Sequence, residues 1–115
     1  MPDVNVFIYT VRSKKNNLMK HTIIEAIQQR AILSFTYRGH NRVVEPHAVG
    51  RSTAGNDVLR SYQTSGTSRK NEVPAWKLMT LKNIENLTVT SECFDSPRQG
   101  YKRGDKGMEE IYAQL

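Results

Sequence analysis

Arg42-Val-Val-Glu-Pro-His47 sets a carboxylate and an imidazole two residues apart. On an extended strand side chains alternate faces, so Glu45 and His47 fall on one side with Val43 and Val49. Arg42, Val44, Pro46 and Ala48 fall on the other. A carboxylate that orients an imidazole is half of a proton-transfer device. The other half, a Ser, Cys or Lys placed to attack, has no counterpart in the pattern. The pair reads instead as a half-buried ion pair, or as a histidine contacting a ligand, and no enzyme is expected. In the run Asp57–Thr64, Val58, Arg60, Tyr62 and Thr64 share a face opposite Leu59. A guanidinium beside an aromatic ring can hold a phosphate while the ring stacks a base. In the next run Trp76 and Leu78 oppose Lys77 and Met79, which assigns Trp76 to core packing and adds Lys77 as a cation. Arg42, His47, Arg60, Tyr62 and Lys77 are therefore the candidate ligand-binding residues. They are expected to gather around one hollow.

Other chemistry finds less support. His21, His40 and His47 show no ligand spacing, so neither a metal nor another cofactor is expected. Gly104-Asp-Lys-Gly lacks the Gly-x-x-x-x-Gly-Lys-Ser/Thr frame of a phosphate loop and reads as a glycine-rich tail. Cys93 is the sole cysteine, which excludes an internal disulfide and a thiolate zinc site.

The elements that must position these residues follow from periodicity. Val4–Val11 alternates and reads as a strand, followed by a polar connector over 12–17. From Leu18 to about Ala31 the period becomes helical, with Met19, Ile23, Ala26, Ile27 and Arg30 in one stripe. Asn16 or Asn17 is the expected cap. Strands are then expected over Ile32–Tyr37, Arg42–Gly50, Asp57–Thr64, Trp76–Leu81 and Ile84–Phe94. Arg38-Gly-His-Asn forms a hairpin turn, and Ser65–Pro74 a mobile polar loop. Pro46 cannot donate to a ladder and belongs at an edge or a bulge. After an irregular tail, Met108–Leu115 is expected to form a short helix. Short strands with tight turns and no crossover helices favour an α+β domain. Its centre is a small antiparallel barrel with flanking helices.

At 115 residues the chain is read as one domain: an N-terminal strand and connector over 1–16, helix and barrel over 17–94, and the tail over 95–115. No apolar run approaches the roughly 18–20 residues of a membrane helix. No signal peptide is recognised, so a cytoplasmic protein that does not engage a membrane is expected. The net charge is +6, and residues 38–70 form the cationic pole with six basic against two acidic residues. That balance suits a phosphate-bearing partner, a nucleic acid or a nucleotide. The alternative is a protein-interaction or oligomerisation module, a homodimer included, built on open strand edges.

Several of these segments resemble the WYL domain, a small Sm-like (SH3-type) barrel of bacterial transcription regulators and phage-defence proteins. Ala26-Ile-Gln-Gln-Arg with Leu33-Ser-Phe-Thr-Tyr is similar to the family's leading helix and first strand. Arg42-Val-Val-Glu-Pro-His resembles its Arg-x-Val-x-Pro strand. Lys77-Leu-Met-Thr-Leu-Lys-Asn-Ile resembles its Arg-x-Phe-x-Leu-x-x-Ile segment. The tail from Phe94 through Ile111-Tyr112 is similar to that of short, stand-alone relatives, and the likeness spans about residues 20–115. The Trp-Tyr-Leu triplet falls at Asp57-Val58-Leu59, Lys77 stands for arginine, and Thr80 stands where a second basic residue is common. The resemblance implies a basic pocket that senses nucleic acid or nucleotides. With no helix-turn-helix in the sequence, the domain is expected to act through a partner, as an oligomer or by ligand capture.

Overall fold

The computed structural model describes residues 4–115, with side chains described from Lys14 onward. Its first element is a helix, α1 (Val4–Gln29). The segment Val4–Val11 is therefore not a strand, and 12–17 is not a connector. Nothing in the register of the sheet offers that segment a ladder partner, and neither Gly nor Pro interrupts 4–29. A helix closes its backbone hydrogen bonds within the segment, as an unpaired strand cannot. The expected stripe faces the core except for Arg30, which is exposed beyond the helix end: Ile23, Ala26 and Ile27 are buried and Met19 and Ile24 pack beside them. Arg30 ends the helix in the left-handed region (φ 54°), with its N–H donating to Ile27 O at 3.1 Å. No helix among the described residues is long and apolar enough to cross a membrane.

Six strands follow: β1 (Ala31–Tyr37), β2 (His40–Arg51), β3 (Asp57–Gly66), β4 (Ala75–Thr80), β5 (Ile84–Cys93) and β6 (Glu110–Gln114). All pairings are antiparallel, in the order β4-β3-β2-β1-β5, with β6 also on β2. Arg38 (φ 51°) and Gly39 (φ 79°) form the two-residue turn of the β1–β2 hairpin, closed by Tyr37 opposite His40. The two ends of the strand order, β4 and β5, are joined only by the 3₁₀ turn Leu81–Asn83. In a flat sheet they would stand four strand spacings apart, about 19 Å. The connector from Thr80 to Ile84 reaches about 14 Å at most. The sheet therefore curls, and Tyr37 Oη accepts the Thr80 N–H at 3.1 Å across the gap. No ladder joins β4 to β5, so the sheet is curled but not closed by strand pairing.

β2 is the spine. Its first half pairs with β1 up to Val44, its second half with β6 from Ala48, and β3 runs along the other side. Pro46 falls between the β1 and β6 partners, where its missing N–H interrupts no ladder. Beside it the register against β3 passes from Pro46↔Ser61 to Ala48↔Arg60, which leaves His47 as the extra residue of a bulge. The bulge shifts the parity of the strand. Val44 and Val49 are five apart, yet both enter the main core with Leu33, Phe35, Leu59 and Met79. Ala48 accordingly leaves the face it shares with Arg42 in a regular strand. It joins Val58 and Met108 in a smaller cluster.

The chain's last segment is a strand rather than the expected helix. The second half of β2 has lost β1, and β6 satisfies its backbone instead, while Ile111 packs on the smaller cluster and Tyr112 and Ala113 on the main core. β6 comes so close that a Cβ on Gly50 would collide with the Glu110 carbonyl oxygen. Gly50→Ala is expected to cost about 1–3 kcal/mol in urea unfolding, the scale of overpacking. Val89→Thr, at a position 43% exposed on an edge strand, should stay within about 0.5 kcal/mol. A Gly50→Ala cost no larger than that of Val89→Thr would contradict the docking of β6.

Candidate functional site

Cross-strand register sorts the candidate residues onto two faces of the sheet. Pro46↔Ser61 and Ser61↔Lys77 belong to the core-side face that also holds Leu59↔Met79. Arg42, opposite Phe35, lies on that face too, only 6% exposed. Its Nε and Nη2 donate to Tyr37 O at 3.4 and 3.3 Å, and its Nη1 donates to Gln63 Oε1 at 3.1 Å. The guanidinium sits 5.1 Å over the Tyr37 ring, and burial lowers its pKa from the ordinary arginine value. Arg60↔Leu78 and Tyr62↔Trp76 occupy the opposite, outer face. The expected single hollow around Arg42, Arg60 and Lys77 is thus not formed. Alternation along β3 and β4 puts Arg60 and Lys77 on opposite sides of the sheet. Arg42 is committed to the β1–β2 turn, where its fork satisfies a buried carbonyl.

The outer face is covered by the tail between β5 and β6. Phe94 stacks on His47 with centroids 5.5 Å apart, and Tyr101 tilts against it at 5.1 Å. Trp76 meets the same imidazole edge-on at 4.7 Å and Tyr62 at 5.4 Å. Trp76 is therefore half-buried in an aromatic cluster outside the main core, contrary to the expectation of core packing. His47 is completely buried, and its two nitrogens are distinct. Nδ1 lies 2.8 Å from Glu45 O, which can only accept, so Nδ1 carries the proton. Nε2 lies 3.0 Å from the Arg98 N–H, which can only donate, so Nε2 is bare. Burial pushes the His47 pKa below its ordinary 6.5, in agreement with a neutral ring. Glu45 and His47 do not form a base–orienter pair, because the Glu45 carboxylate turns to Arg98 rather than to His47.

Arg98 Nε and Nη2 meet Glu45 Oε1 and Oε2 at 2.6 and 3.0 Å, a bidentate pair, while the guanidinium lies 4.8 Å over the Tyr62 ring. The hydrogen bond to Glu45 raises the Arg98 pKa further. Arg60 makes the second fork, with Nε 2.7 Å from Asp105 Oδ2 and Nη2 3.2 Å from Oδ1. That contact holds the Asp105 carboxyl below the usual aspartate value. Beside it opens a cleft of about 420 Å³ lined by Arg60, Trp76, Tyr101, Lys102, Arg103 and Lys106 among others. Trp76 and Tyr101 stack within it, centroids 6.2 Å apart at 26°. Lys102, Arg103 and Lys106 are exposed, and no ion pair among the described residues engages them.

Of the five candidates, His47, Arg60 and Tyr62 come together under the tail, while Arg42 and Lys77 do not join them. Sequence reasoning missed Arg98, Tyr101, Lys102, Arg103, Asp105 and Lys106. The one signal was the density of cations around an aromatic in Tyr101-Lys-Arg-Gly-Asp-Lys106, in a segment with no periodicity to place it. The arrangement offers cations and ring faces to a ligand. It offers no aligned nucleophile and base among the described residues. Compared with known proteins, the chain matches no family model, no curated protein and no solved structure.

Because the His47 pKa is lower in the folded chain, the unfolded chain binds more protons as pH falls past 6.5. The stability this ring supports is full above pH 6.5 and is lost as pH drops through 6.5 toward its folded value. The slope is at most about 1.4 kcal/mol per pH unit. In urea unfolding between pH 5 and 8, His47→Gln should flatten this acid limb. Identical limbs in the two proteins would contradict a neutral His47.

Proposed function

We propose that this chain is a non-enzymatic binding domain that takes single-stranded nucleic acid or a nucleotide in the outer-face cleft. The observation that carries the reading is the convergence there of Arg60, Lys102, Arg103 and Lys106 with the rings of Trp76 and Tyr101. Against those four cations stands one carboxylate, Asp105, already engaged by Arg60. Free cations supply sequence-independent affinity for phosphate, and an aromatic face accepts any base. A cleft of this size suits one nucleotide unit rather than a duplex. The curled sheet is read as the partly open Sm-like barrel that the WYL resemblance implies. Its strand order, with the two edges joined by a three-residue turn, supports that reading. On the same resemblance, occupancy of the cleft would be sensed and passed to a partner in transcription regulation or phage defence.

A second reading is supported by the open edges of β4 and β5, which carry the exposed Leu78 and Val89. An extended partner segment or a second copy would add to such an edge. A dimer in light scattering that persists in high salt, with no oligonucleotide binding, would favour it over the cleft.

The direct test is fluorescence anisotropy of labelled deca-uridylate and of a labelled nucleotide across a salt series. Log affinity for the strand should fall linearly with log salt, by about 0.7 per phosphate contact. Replacing Lys102, Arg103 and Lys106 together with Ala should reduce that slope by about 2. Salt-independent binding, or none by either probe, would overturn the proposal.

A further inference from the structure

We infer that Arg60 and Asp105 form a positioning pair that holds the cationic loop over Trp76, so that Arg60 grips the loop and not the ligand. This rests on the cleft's reading as a phosphate-binding site. The Asp105 side chain is only 9% exposed, and both its oxygens are engaged. Oδ2 accepts from Arg60 Nε, while Oδ1 accepts from Arg60 Nη2 and from the Gly107 N–H at 2.8 Å. The loop is secured at two further points. The Gly104 N–H donates to Gln114 Oε1 at 2.9 Å, and the Met108 N–H to Asp105 O at 3.1 Å. Gly107 is pressed against the sheet, where a Cβ would lie 3.5 Å from Leu78 and 3.6 Å from Arg60 Nη2.

Lys102, Arg103 and Lys106 flank Asp105 within five residues, and like charges so close together repel. Asp105 offsets part of that charge and ties the loop to β3 through Arg60. A ligand phosphate that took Arg60 for itself would leave a mostly buried carboxylate without its cation, an arrangement that is costly. The three exposed cations can meet phosphate with no such loss. The competing idea makes Asp105 a placeholder that phosphate displaces, and it reverses the expected changes in affinity and salt slope.

Asp105→Asn and the charge reversal Arg60→Asp/Asp105→Arg separate the two ideas, read by emission of Trp76, the only tryptophan, and by the salt slope for labelled deca-uridylate. With a positioning pair, Asp105→Asn shifts Trp76 emission to the red, weakens binding about tenfold and lowers the slope by more than the roughly 0.7 of one contact. The double reversal brings emission, affinity and slope back toward the parent values. Tighter binding with a steeper slope in Asp105→Asn would show Arg60 released to phosphate and would overturn the inference. Unchanged Trp76 emission would overturn it as well. If the parent chain binds neither strand nor nucleotide, the cleft's proposed function fails, and Trp76 emission alone decides whether the pair holds the loop.

Discussion

Two hydrogen bonds of opposite sense fix the His47 imidazole, one given to the Glu45 carbonyl and one taken from the Arg98 amide. A charged ring would set two donors against each other at Nε2, so the buried site demands the neutral form. The bulge that His47 occupies makes this possible. It keeps the ring on the outer face, opposite Val44, and returns Val49 to the core. Around the ring, Trp76 from β4 meets Phe94 and Tyr101 from the tail. That anchor, together with the two guanidinium forks, ties the tail to the outer face.

The forks divide the basic charge of the molecule into structural and available parts. Arg98 is engaged by Glu45, Arg60 by Asp105, and Arg42 by the carbonyl of Tyr37 and the amide of Gln63. Arginine suits these places because its planar fork stays charged and satisfies several acceptors at once. The cations left to face solvent beside the aromatic rings belong to the loop at 102–106. A net charge of +6 is thus a poor guide to the binding surface. The placement of carboxylates decides which cations remain free.

Much of the sheet was legible because five strands carry alternating patterns bounded by turn residues, and Gly39 suits the positive φ of the hairpin turn. The helix over Ile23–Ile27 was legible for the same reason, through its 3.6-residue stripe. Val4–Val11 was misread because a short β-branched run looks alike in either state until a ladder partner is sought. β6 was misread because its five residues are a strand only through the half of β2 that β1 leaves open. The faces of Arg60 and Lys77 could be assigned along each strand. The cross-strand register and the His47 bulge could not, and they decide which candidates meet. The tail's role was hidden for a related reason: its contacts are long-range hydrogen bonds and ring contacts that leave no local period.

The central claim is that this aperiodic tail is a docked part of the fold, pinned by the neutral His47 ring. Amide hydrogen exchange at Arg98, followed by NMR at neutral pH, tests it most directly. The account predicts an Arg98 N–H protected well beyond its neighbours in 95–99, with a His47 Nε2 shift typical of an unprotonated nitrogen. An Arg98 amide that exchanges as fast as an unstructured peptide would contradict the docked tail, and with it the cleft that the tail builds.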